Sequence, residues 1–125
     1  MSDNLLRWLL IAIAAITVLT GLAQLIVPST VLAIVATSAE PAAAHMFATV
    51  GMFMVITGAM FLQSLLARSS ERAIPLWIGV QKASACVLVA LGVFKGVFAL
   101  LALGVAAFDG LTGVLAFMFW QRMPR

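Results

Sequence analysis

Only one strongly polar stretch, ARSSERA at residues 67–73, interrupts a chain that is otherwise apolar over long runs such as Leu5–Val27 and Ile74–Trp120. In water, runs of this kind associate and precipitate. In hydrocarbon, no solvent satisfies backbone N–H and C=O groups, so the chain must satisfy them itself, and an unpaired segment does so as a helix. At about 1.5 Å rise per residue, about 20 apolar residues cross a core of roughly 30 Å. The composition agrees, since 65% hydrophobic against 9% charged residues lies far from the balance of a water-soluble chain. The expected fold is all-α, an integral membrane four-helix bundle forming a single transmembrane domain over residues 1–125.

The first helix is expected over 5–27, with Ser2 or Asp3 as N-cap and Pro28 and Ser29 at its end. Its run is longer than a secretory signal core, and no small-x-small cleavage site follows it directly. Residues 28–38 read as a connector at the outer interface, because VLAIVA is too short to span. A second helix follows over 39–66, with Glu40 and Pro41 suited to its first turn. From Ile74 to Trp120 there are 47 residues without a long polar stretch, about twice what one tilted helix uses. The chain must therefore turn. Lys95 followed by Gly96 reads as a helix C-terminus, which puts helix three at 74–94 and helix four at 97–120.

Four spans arranged up-down and antiparallel put Arg7, Arg68, Arg72, Arg122 and Arg125 on one side and leave Lys95 on the other. By the positive-inside rule both termini are expected to be cytoplasmic, and Trp8, Trp77 and Trp120 fall at the same boundary. The formal charge of +3 is then a topology signal. It forms no basic stripe with interleaved aromatics, so nucleic acid is not an expected partner. A single cysteine, Cys86, excludes an intrachain disulfide framework and a paired-cysteine motif.

Two ionisable residues remain at membrane depth, Lys82 and Asp109. Each would cost about 2.5–3.5 kcal/mol near a helix centre. A hairpin folded at Lys95 and Gly96 brings them to equal depth, about 20 Å from the turn, so an intramembrane ion pair between helices three and four is expected. Three readings stay open. The pair fixes hairpin register, or it forms an ion, proton or ligand site, or Lys82 snorkels to the interface and leaves Asp109 protonated or water-bound. Gln81 adds to the polar spot. Gly110, Gly113 and Ala106 would let another backbone approach helix four there.

On helix one, Thr17, Thr20 and Gln24 recur at helical spacing beside Gly21 and are expected to share a face directed into the bundle. Gly51 and Gly58 mark a close-contact seam on helix two. The methionines and phenylalanines of helix two suit packing, lipid, or an apolar ligand such as a quinone. His45 is the only histidine, which rules out bis-histidine haem ligation within one chain. There is no phosphate-binding glycine loop, nucleophile elbow or histidine pair, so no cofactor or metal is expected and catalysis is disfavoured.

The single span ending in Pro28, the glycine-spaced GMFMVITGAMFLQSLL and the hairpin ending FDGLTGVLAFMFWQR together resemble the small four-helix bacterial membrane proteins called DoxX-like. That resemblance implies a bacterial cytoplasmic membrane and a four-helix architecture, and brings no defined reaction. Helix one contains no acidic residue of the kind expected in small multidrug exporters, and the phenylalanine-rich polar motif of fluoride channels is not found. The expected role is a non-enzymatic accessory, assembly or lipid-binding subunit. Its expected partners are the lipid bilayer and a larger membrane complex or a homo-oligomer. The alternatives are a small ion- or proton-coupled transporter or channel using Lys82 and Asp109, and a lipid or quinone enzyme sensitive to Gln81, Lys82 or His45.

Overall fold

A computed structural model describes residues 1–125. It contains five helices and no strands: α1 Asp3–Ile26, α2 Pro28–Val35, α3 Pro41–Leu66, α4 Ala73–Phe94 and α5 Ala102–Arg122. Four of them, α1, α3, α4 and α5, are long and apolar enough to cross a membrane, with mean hydropathy between 1.7 and 2.4. Only 23 of the 125 residues are buried, while large apolar side chains such as Leu19, Met46, Leu88 and Leu111 stand more than half exposed. An apolar exterior of this extent is what a lipid-embedded protein presents.

Local chemistry sets the helix ends. Ser2 Oγ accepts from the Leu5 amide at 3.2 Å and caps α1. Val27 leaves the helical region at φ −127° and ψ 58°, and Pro28 opens α2. The connector is thus a short helix of its own, seated by buried Leu32. Glu40 takes the N-cap position of α3 in extended conformation, so that helix begins at Pro41 and not at 39.

The turn between α4 and α5 differs more from expectation. Gly96 has φ +76°, the Val97 amide donates to Gly92 O at 2.9 Å and the Gly96 amide to Val93 O at 3.0 Å, forming a Schellman C-cap. The sequence places helix four from 97, but α5 starts at Ala102. Residues 97–101 are otherwise engaged. The Thr37 amide donates to Val97 O at 3.1 Å and the Ala99 amide to Val35 O at 2.8 Å, an antiparallel bridge between Ala36 and Phe98. Phe98 also packs on Gly92, where an added Cβ would come within 2.3 Å of its ring.

Each hairpin is closed by glycine. A Cβ at Gly51 would lie 2.7 Å from Gly21 O, and one at Gly58 3.1 Å from Val18, so α1 and α3 run in opposite directions at backbone contact. In the second hairpin Gly79 faces the Phe117 ring, Gly113 the Ala83 amide and Gly110 the Cys86 side chain. These pairings centre the hairpin near Phe98, further along than the Lys95–Gly96 midpoint expected from length. The two hairpins meet through Leu6, Leu10, Phe61, Leu65, Ile78 and Leu115, all toward the end that carries the arginines. Toward the Lys95 end, no residue of α4 beyond Lys82 is buried.

Candidate functional site

Lys82 is the last buried residue of α4 and lies nine residues past the start at Ala73, about 14 Å along the axis. Its Nζ donates to Asp109 Oδ1 at 2.9 Å and to Thr17 Oγ1 at 3.3 Å. Thr17 Oγ1 in turn donates to Ile13 O at 3.0 Å, so its hydroxyl proton is committed and a lone pair faces the ammonium. The Phe108 ring lies 5.7 Å from Nζ, within cation–π range. Lys82 and Asp109 are 6% and 8% exposed, which places both charges inside the bundle. The lysine therefore turns inward to its partners and does not snorkel.

The glycine contacts set the α5 level opposite Lys82 about one helical turn closer to the arginine end than Asp109. The two backbones are accordingly not level at the pair, and the flexible four-carbon stem of Lys82 covers the offset. Depth matching by counting from the turn found the right partners on a register that the structure shifts.

A cavity of about 10 Å³ adjoins the pair, lined by Thr17, Thr57, Gln81, Lys82 and Thr112 together with apolar neighbours. That is about the smallest volume that takes a single water. Gln81 is half-buried on its wall, and its side-chain amide makes no hydrogen bond to protein. Thr112 is buried at 1% exposure and donates to Phe108 O at 2.8 Å. Sequence reasoning did not single out Thr112, although its spacing of three from Asp109 sets both on one face of α5.

The expected polar face of α1 divides. Thr17, Gly21 and Gln24 are buried, but Thr20 is exposed, with its hydroxyl folded back to Ile16 O at 2.9 Å and Thr17 O at 3.1 Å. At about 100° per residue, positions 17 and 24 nearly superpose, whereas 20 falls some 60° to the side. Gln24 is separate from the ion pair and donates from Nε2 to Phe47 O at 3.0 Å, tying α1 to α3. His45 is exposed, and no three His, Cys, Asp or Glu side chains converge to hold a metal ion.

The arginines cluster at the opposite end of the bundle from Lys95. Arg7 donates to Leu65 O at 3.4 Å and Arg72 to Trp120 O at 3.2 Å, covering carbonyls in the last turns of α3 and α5. Arg72 also lies 5.0 Å from the centre of the Trp120 ring. Arg122 donates to Asp3 Oδ1 at 3.1 Å and to Met1 O at 2.7 Å, which joins the two ends of the chain. These residues thus hold helix termini together as well as marking one end with charge.

The fold and its polar centre define a multi-pass α-helical membrane protein with one buried ion pair. No family model, curated protein or solved structure matched the chain.

Proposed function

We propose that this protein is a non-catalytic subunit of a bacterial cytoplasmic membrane, an up-down bundle with both termini cytoplasmic, that works by binding a membrane complex or an apolar lipid-like ligand. The observation that carries this reading is the closure of the polar centre. Lys82 Nζ donates to Asp109 Oδ1 at 2.9 Å and to Thr17 Oγ1 at 3.3 Å, both ends of the ion pair are less than a tenth exposed, and the adjoining cavity measures only about 10 Å³. A site so enclosed serves to hold α1, α4 and α5 in register, and the wide apolar exterior is the surface left for recognition. The likeness in layout to DoxX-like proteins is compatible with this role and adds no reaction to it.

Affinity purification of the full chain in mild detergent tests the reading. The expected result is stoichiometric co-purification of a membrane protein or a lipid. A lone, ligand-free chain retaining its fold overturns it.

A second reading, an ion- or proton-coupled transporter, draws on one feature. An ammonium, a carboxylate and a hydroxyl from three helices meet at membrane depth, as side chains do along proton and ion paths. Reconstituted liposomes separate the two readings, because an accessory subunit shows no flux above empty vesicles. Flux present in the parent and abolished in Asp109→Asn would establish the transporter.

A further inference from the structure

An open cavity of about 320 Å³ lies at the arginine-bearing end of the bundle, outside the polar centre and independent of the role proposed for it. Arg7, Arg68 and Arg122 line it, and Asp3 is the only acidic residue on its wall. Asp3 is already paired with Arg122 at 3.1 Å, so two guanidinium charges are left without a counter-charge. Arg7 spends one N–H on Leu65 O, and its Nε is buried with no hydrogen-bond partner. The Arg68 guanidinium makes no hydrogen bond or ion pair with the protein.

Arg68 is held there by its backbone. It has φ +51°, and the Ser69 amide donates to Ser64 O at 2.9 Å and the Arg68 amide to Leu65 O at 3.3 Å. This is a Schellman cap with arginine at the position that favours glycine. Ser69 Oγ accepts from the Glu71 amide at 3.1 Å, which leaves its hydroxyl proton free to donate at the cavity wall. Phe119 and Met123 supply an apolar edge.

We infer that this cavity binds a phosphate ester anion. Guanidinium forks match phosphate oxygens in pairs, a serine hydroxyl adds a neutral donor, and an apolar edge suits the glycerol and first acyl carbons of a phospholipid. The volume is that of a small-ligand site. The location at a helix-end boundary lets the anion come from an anionic lipid headgroup or from a soluble phosphate ester.

Binding to the purified full chain in detergent is measured by calorimetric titration with dioctanoyl phosphatidylglycerol, dioctanoyl phosphatidylcholine and inorganic phosphate. Saturable binding of phosphatidylglycerol over phosphatidylcholine supports a lipid anion. Binding of inorganic phosphate without the lipid supports the site and assigns its anion to the aqueous phase. Arg68→Gly relieves the left-handed backbone, so its thermal midpoint is expected at or above that of the parent. Its affinity is expected to fall about five- to tenfold. Arg68→Gln gives the same loss with a side chain of similar reach. Arg125→Gln, outside the cavity, changes affinity by less than about twofold on the same scale. No saturable binding of any probe overturns the inference, as does an Arg125→Gln loss equal to that of Arg68→Gly, or full affinity in both Arg68 variants.

Discussion

Replacing Asp109 with leucine removes the only counter-charge of Lys82 and leaves its ammonium with Thr17 Oγ1 at 3.3 Å and the Phe108 ring at 5.7 Å. Lys82 is 6% exposed and lies about 14 Å along α4, further from the helix start than its stem extends. An ammonium at this depth costs about 2.5–3.5 kcal/mol on insertion scales, and breaking a buried pair from one side costs about 3–5 kcal/mol. Asp109→Leu is therefore expected to destabilise the bundle by about 3–4 kcal/mol, and Lys82→Met by a similar amount, since each leaves a lone charge. The double variant Lys82→Met/Asp109→Leu buries no charge and is expected within about 1 kcal/mol of the parent. Reversible unfolding in mixed micelles, followed by tryptophan fluorescence and far-ultraviolet circular dichroism, measures all four corners of the cycle. Additive losses in the double variant, or single losses below about 1 kcal/mol, refute the argument that the two charges depend on each other for burial.

Gly51→Val forces a Cβ to 2.7 Å from Gly21 O and is expected to cost at least about 2 kcal/mol in the same assay, while Gly104→Ala, with open space around it, is expected to be neutral. Gly96→Ala meets φ +76° and is expected to cost about 1 kcal/mol, with faster amide exchange at Thr37 and Ala99, the two donors of the adjoining bridge. With the native Cys86 replaced by alanine, Arg125→Cys is expected to react with an impermeant maleimide only in inverted vesicles and Lys95→Cys only in intact cells. The opposite pattern reverses the proposed orientation.

The apolar runs determined much of this protein. They dictated four long helices, the break at ARSSERA and the bend at Lys95 and Gly96, and they made Lys82 and Asp109 each other's natural partners, while the register that joins them came from the packing. A hydrocarbon medium admits few ways to satisfy a backbone and punishes every unpaired charge, so hydropathy and charge position carry most of the information. What they omit is which helix stands beside which. Thr17 meets Lys82 across 65 residues, Thr20 turns out to the surface, and Gln24 serves α3. Residues 97–101 remain outside α5 because Val35 and Thr37 claim their backbone groups. Arg7, Arg68 and Arg122 read in sequence as charges on one side of a membrane, and only the packing of α1, α3 and α5 gathers them around one cavity. Helices form from local and solvent-driven terms written along the chain, whereas neighbours across the bundle are chosen by glycine contacts and side-chain reach, which exist only once the helices have packed.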